Sequence, residues 1–234
     1  MKFLIKKNYI ILFLLCLLLL EPKVLAKEDN TQHTKETISN YFSGLISINQ
    51  NYNKKAFEHL NKVKSFTNKH SKLNIEFIRT LVELNKFDEA FKFSQSAWSN
   101  DELIFEADLL LGLNYFIKKD YTNAEKHFER LNIVSRSNLF LSNFVGNVLI
   151  AWSRANQGLE VESYKFLEKI PKSYRQLKKT QNVFLQCYFE DIQTMKSFEE
   201  LINDGNYEFV RYNFFFTNYL LFNNDIQKAK QTIK

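Results

Sequence analysis

Four histidines are the side chains in this sequence best suited to chemistry: His33, His59, His70 and His127. His59 and His127 stand 68 residues apart, a pairing that by itself suggests a metal site or a proton relay. Zinc on a helix needs two ligands at i and i+4, or a pair of cysteines, and neither occurs. The glycines at 44, 112, 146, 158 and 205 are scattered, so no loop can cradle a phosphate. Acidic neighbours such as Glu199–Glu200 and Glu160 with Glu162 read as solvated helix charges. Cys187 lies in "VFLQCYFED" as a small buried hydrophobe, with a reactive thiol as the other reading. These signals assign no catalytic, cofactor-binding or metal-binding residue, and the chain reads as a non-enzyme.

Two stretches suit contact rather than catalysis. "PKSYRQLKK" brings Lys172, Arg175, Lys178 and Lys179 near one face of a turn and helix start. Such a cluster fits lipid headgroups or an acidic partner; the plainer reading is a solvated charged face. Phe214, Phe215 and Phe216 run on to Tyr219 and Phe222, a helix expected to be buried on both sides, with an exposed docking surface as the alternative.

Helices must position these residues. Five Gly and two Pro in 234 residues leave too few turn formers for a sandwich or barrel, while 45% hydrophobic content suffices for a core. A repeat organises the chain. From Ala124, steps of 34 lead back to Ala90 and Ala56. Gly112 and Gly44 each precede their alanine by twelve residues. Leu81 aligns with Tyr115, Leu60 with Phe128, and both Val63 and Ala97 with Leu131. Ile78, Ser94 and Ser47 depart from the pattern. Its physical sense is a pair of antiparallel helices that approach where Gly112 faces Ala124, with Tyr115 and Phe128 filling the space beside them. Ala97 or Leu131 then receives the next pair. "TNAE" at Thr122–Glu125 predicts a capping box, and Asp88 an N-cap. In this register His59 and His127 fall at one place on second helices two repeats apart, exposed and too distant to share a metal.

After residue 136 the register loosens. Ala151, Ser163 and Leu167 mark a further pair ended by Pro171, residues 176–203 a fifth, and Leu220 with Ala229 a sixth that looks truncated at Lys234. At the other end, Lys2, Lys6 and Lys7 precede an apolar run from Ile10 to Leu20, and Val24–Ala26 supplies small residues for cleavage. That predicts a signal peptide, 1–26, cleaved after Ala26 and followed by a polar linker, 27–35. The run is too short to span a bilayer as a helix. Removing Lys2, Lys6, Lys7, Lys23 and Glu21 with the leader takes 32 basic and 26 acidic residues to 28 and 25, a net charge of +3. That is no nucleic-acid signature.

The offsets of Gly112, Tyr115, Ala124 and Phe128 resemble the tetratricopeptide repeat (TPR), with three repeats over 36–136 and degenerate TPR-like pairs over 137–234. The order of features also resembles exported bacterial TPR-containing proteins: leader, polar linker, "YFSGLIS", Ala56, and later Ala151-Trp152. The resemblance implies an all-α, right-handed α–α superhelix, a solenoid of about five to six helix pairs. It implies a non-catalytic periplasmic scaffold or adaptor, without cofactor, that binds a peptide or protein segment on a concave face lined by first helices. Projected onto this sequence, that face is Tyr41, Leu45, Ile48, Ile75, Arg79, Val82, Leu109, Leu113 and Phe116, continuing at Val148, Trp152 and Asn156. Relatives that grip a C-terminal carboxylate use Lys, Asn and Arg at such places. Here Arg79 stands almost alone among apolar residues, so an apolar or amphipathic segment is expected, oriented by Arg79 and Glu83. The other arrangement is a tight superhelix in which these residues are core. Two rival functions stay open: an envelope-associated structural or assembly factor touching a membrane surface through Lys172, Arg175, Lys178 and Lys179, and the non-catalytic N-terminal part of a longer protein.

Overall fold

How each helix ends sets the architecture. The computed structural model describes residues 34–66, 71–99, 101–134, 143–203 and 210–232. The predicted signal peptide, linker residues 27–33, His33 and His70 lie outside them. Within the described residues the chain forms twelve α-helices and no strand, ordered as six antiparallel pairs. These are α1 (Lys35–Asn49) with α2 (Asn53–Lys62), α3 (Ser71–Glu83) with α4 (Phe87–Ala97), and α5 (Phe105–Ile117) with α6 (Tyr121–Val134). They continue as α7 (Val145–Asn156) with α8 (Glu160–Glu168), α9 (Arg175–Tyr188) with α10 (Thr194–Asn203), and α11 (Val210–Phe222) with α12 (Ile226–Thr232).

Every hairpin turn carries one left-handed residue: Asn51, Asn85, Lys119, Gly158, Glu190 and Asn224, with φ between 56° and 75°. The amide after it reaches back five residues, as from Tyr52 to the Ser47 carbonyl (2.8 Å), Lys86 to Leu81 (2.8 Å) and Asp120 to Tyr115 (2.9 Å). Leu159, Asp191 and Asp225 close the later three turns in the same way. This closure satisfies carbonyls that the helix end leaves orphaned and, in every hairpin but the five-residue turn 189–193, reverses the chain in three residues. The first three left-handed residues are spaced by 34, so the turn geometry itself follows the repeat. The residue after the turn then starts the next helix. Asp120 accepts from the amide of Asn123 (3.3 Å), Asp191 from Gln193 (2.8 Å) and Asp225 from Lys228 (3.2 Å). The expected capping box at Thr122–Glu125 is therefore displaced, because Thr122 and Glu125 already lie inside α6 and the cap is Asp120. Asp88 likewise sits in the first turn of α4, behind Lys86.

Close approach within each pair follows the size pattern. Ala56, Ala90 and Ala124 are fully buried on second helices. A Cβ at Gly44 would collide with Leu60, and one at Gly112 with the Phe128 ring. In the second pair the sizes are exchanged. Ile78 occupies the glycine register and Ser94 the Leu60/Phe128 register, and both are fully buried. The two departures in the sequence are thus complementary. Ser47, the third, is buried with its hydroxyl donating to the Ser43 carbonyl at 2.8 Å.

The core is distributed along the stack. Val63, Phe77, Phe93 and Ile104 join the first two pairs to the approach of α5. Phe128, Leu131 and Ile150 join α6 to α7, and Leu167, Ile170 and Leu185 join α8 to α9. Val183, Phe198, Phe216 and Leu220 unite the last two pairs. The chain is an all-α helical solenoid. Helix α11 differs from expectation: Phe216 and Leu220 are buried, but Phe214, Phe215, Leu221 and Phe222 are exposed, because α9 and α10 cover one side of it only. No helix among the described residues is long and apolar enough to cross a membrane.

Gly112→Ala should destabilise the chain by about 1–3 kcal/mol, since the Phe128 ring must shift to admit the methyl group. Lys119→Gly should stabilise it by roughly 0.5–1 kcal/mol by relieving a left-handed side chain. Urea denaturation followed by circular dichroism measures both.

Candidate functional site

The most constrained polar group is Asp108, fully buried on α5. Its Oδ1 accepts from Trp98 Nε1, His127 Nδ1 and Arg130 Nε, each at 2.9 Å. Arg130 Nη2 donates in addition to the carbonyls of Ser99 (2.8 Å) and Glu102 (2.7 Å), tying the linker between the second and third pairs to α6. His127 is stacked on Tyr115 and meets the Trp98 ring edge-on, with Lys126 and Arg130 over the indole. A buried carboxylate is tolerable only with such donors around it. His127 is therefore a buried structural group, not the exposed helix histidine that the repeat register suggested. Because a carboxylate can only accept, Nδ1 of His127 carries the proton.

The same contact recurs in the first pair, where His59 Nδ1 lies 3.0 Å from Asn40 Oδ1. Both pairs are separated by 19 residues. Asn40, Asn74 and Asp108 follow the 34-residue step, Asn147 takes the same place on α7, and all four are buried. Asn147 accepts from Asn132 Nδ2 (3.2 Å) and donates to the Asn143 carbonyl (2.6 Å). The first three members of this polar register stand at constant spacing in the sequence, but apolar periodicity passes over them because they are polar. The register fastens helices internally. Among the described residues no group of three or more His, Cys, Asp or Glu could hold a metal ion.

The face assigned to a partner is built from first helices. Tyr41, Leu45 and Ile48 on α1, Ile75 and Val82 on α3, Leu109, Leu113 and Phe116 on α5, and Val148 and Trp152 on α7 are all half-buried. Most rest one side on the core clusters beneath them. Asn156 is exposed and donates to the Trp152 carbonyl. Arg79 is exposed but engaged. Its Nε and Nη2 lie 2.9 and 2.6 Å from Glu106 Oε1 on the neighbouring first helix, and Glu76 stands 3.7 Å away. Arg79 is thus not a vacant anchor for an incoming acid, because the next repeat supplies its carboxylate.

The aromatic part of the face extends further than the sequence register reached. Trp152 meets Tyr188 edge-on (5.7 Å), and Trp152 Nε1 donates to Gln181 on α9. Phe184 meets Phe215 (5.2 Å), which meets Phe214 (6.1 Å). Cys187 on the same helix is half-buried, and burial pushes its thiol up, away from the thiolate. On α8, the Tyr164 hydroxyl is buried without a hydrogen-bond partner among the described residues. Burial, then Glu160 and Asp191, push it up to about 12.

The cationic cluster is smaller than the sequence suggested. Lys178 turns to Glu168 on α8 (2.7 Å) and is half-buried, whereas Lys172, Arg175 and Lys179 are exposed. Two shallow clefts flank α7. One of about 370 Å³ is lined by Asn132, Asn147, Phe166 and Lys169 among others. The other, about 230 Å³, holds the Glu125–Arg154 ion pair, with Gln157 also donating to Glu125.

No family model matches this chain, and no curated protein matches its sequence. Solved structures share its fold. A double mutant of MamA from RS-1 superposes with a TM-score of 0.56 at 10% identity, over 72% of this chain and 94% of that one. MamA from MSR-1 gives 0.51 at 12% identity, over 70% and 95%. PilW, a type IV pilus biogenesis factor, gives 0.50 at 14% identity, over 74% and 80%. These neighbours are TPR-type helical-repeat proteins.

Asp108→Ala should cost about 3–5 kcal/mol, because it strands a buried guanidinium, while Arg79→Ala on the surface should cost less than about 1 kcal/mol. Chemical denaturation separates the two. Tyr164→Phe removes an orphaned hydroxyl and should leave stability at neutral pH unchanged or raised. A phenol held up to about 12 when folded keeps its proton where the unfolded chain, at its ordinary pKa of 10, releases it, so the native state loses stability as pH rises from 10 towards 12. Tyr164→Phe should therefore flatten alkaline unfolding above pH 10, measured by circular dichroism.

Proposed function

We propose that this chain is a non-catalytic scaffold of the bacterial periplasm that binds a peptide or protein segment along the face formed by its first helices. The observation that supports it most is the state of that face. Ten apolar side chains, from Tyr41 to Trp152, are packed on one side and open on the other across the first helices of four successive pairs. A closed core would bury them, and apolar residues scattered over a solvated surface would not line up on successive first helices. With Arg79 neutralised by Glu106, the face selects for an apolar or amphipathic segment rather than a carboxylate terminus. The likeness to TPR-type structures accords with an interaction role.

A second reading, an envelope-associated assembly factor, draws on the exposed Lys172, Arg175 and Lys179 and on the likeness to a pilus biogenesis factor. Contact with anionic lipid would then be salt-sensitive and lost when those cations are neutralised.

Photo-crosslinkers placed at Leu45, Leu113 or Phe116 in cells should each give a discrete adduct with a protein partner, while one at Glu58 or Glu129 on second helices should not. Adducts from the second helices alone would overturn the groove reading. N-terminal sequencing of the exported chain should begin at Lys27.

A further inference from the structure

Hydrogen bonding limits the shape of segment that the apolar strip can hold. Across α1, α3, α5 and α7 the strip presents side chains such as Leu45, Val82, Leu113 and Val148, half-buried and without a polar atom. The main chain beneath them is helical, so its amides and carbonyls are bonded along each helix and offer no edge to pair with. Donors beside the strip are already used inside the protein. Arg79 donates from Nε and Nη2 to Glu106, Trp152 from Nε1 to Gln181 (2.9 Å), and Asn156 from Nδ2 to the Trp152 carbonyl (2.9 Å). An extended segment pressed onto such a surface takes main-chain amides and carbonyls out of water and finds no partner for them. An α-helix arrives with its main chain already paired.

Charge narrows the choice further. Lys72, Glu76, Arg79 and Glu83 recur at intervals of four, three and four along one side of α3, and Glu106 reaches Arg79 from α5. Three carboxylates meet two cations at this crossing, which leaves one negative charge between the apolar stretches of α1 and α5. We infer that the occupant of the strip is an amphipathic α-helix of about 17–20 residues, lying across the four first helices. Its apolar side chains recur at i, i+3, i+4 and i+7, and a Lys or Arg stands about a third of its length from the end that meets α1. This rests on the segment-binding role proposed above and adds the conformation, length and charge of what is bound. The length follows from packing. Neighbouring helices stand about 8–10 Å apart, so four first helices extend over roughly 25–30 Å, and a helix rises about 1.5 Å per residue. An extended chain would cover the same distance in about eight or nine residues.

Photo-crosslinking in cells tests this by measuring distance along the partner. The crosslinker stands at Leu45 in one variant and at Leu113, two first helices further on, in another, and mass spectrometry locates each adduct in the partner's sequence. A bound helix places the two adducts about 11–13 residues apart, an extended segment about five or six. A synthetic peptide spanning both adducts should gain helical circular dichroism when the protein is added, and a central proline should weaken its binding by about a hundredfold. Glu83→Lys turns the crossing from one net negative charge to one net positive, and should weaken the peptide severalfold at low salt. No adduct at either site would remove the segment-binding role, and this inference with it. Adducts five or six residues apart, or a peptide that binds without gaining helix, would overturn the helix and leave that role standing. Binding indifferent to Glu83→Lys would overturn the cation.

Discussion

No helix pair in this chain can bury its own apolar faces. Each second helix carries a row such as Val63, Ala97 or Leu131 that stays wet until the following first helix covers it. Stability is therefore a property of junctions. The clusters around Phe77, Phe128, Leu185 and Phe198 each draw on neighbouring pairs, so that the core forms a chain of small contacts. The constraint also favours the tight hairpin turns, five of which reverse the chain in three residues, because a short reversal lets the two helices of a pair lie close enough to act as one unit.

Within that scheme the polar interior plays a defined part. Apolar contact fixes how near two helices lie but only weakly fixes their relative rotation. Buried donors and acceptors are more exacting, because an unmatched one is costly. Asp108 meets three donors drawn from a linker and from α6, and holds the third pair in one orientation to the second. Asn147 with Asn132 does similar work at the next junction, and Asn40 with His59 does so within the first pair. The use of one charged member among amides matches the place of Asp108, where a loop rather than a helix must be fastened.

The face formed by the first helices changes character along the stack. Through the first four pairs it is a half-buried apolar strip crossed by the Arg79–Glu106 ion pair. Beyond Trp152 it opens into rings that stand clear of the core. A solenoid can support such a division because each repeat settles its own surface and is coupled only to its neighbours. The basic edge near Arg175 is separate from this face, as Arg175 and Lys179 lie on the side of α9 turned from Phe184.

The fold class was legible in the residues because the packing rule is local. Where a helix pair needs a small residue opposite a large one, the spacing of Gly112, Ala124 and Phe128 records it, and a scarcity of Gly and Pro excludes the turn-rich alternatives. Ile78 and Ser94 looked like decay in the sequence, since compensation between two positions becomes visible only when they face each other. His127 likewise looked exposed by register, and only the tertiary structure could place Trp98, Tyr115 and Asp108 around it, because those three come from separate elements. The partners of Arg79 and Lys178, and the opening of the rings at Phe214, were decided in the same way. Periodicity in a single chain encodes which side of a helix is apolar, whereas the distance to a neighbouring helix, and with it burial and pairing, exists only once the repeats are stacked.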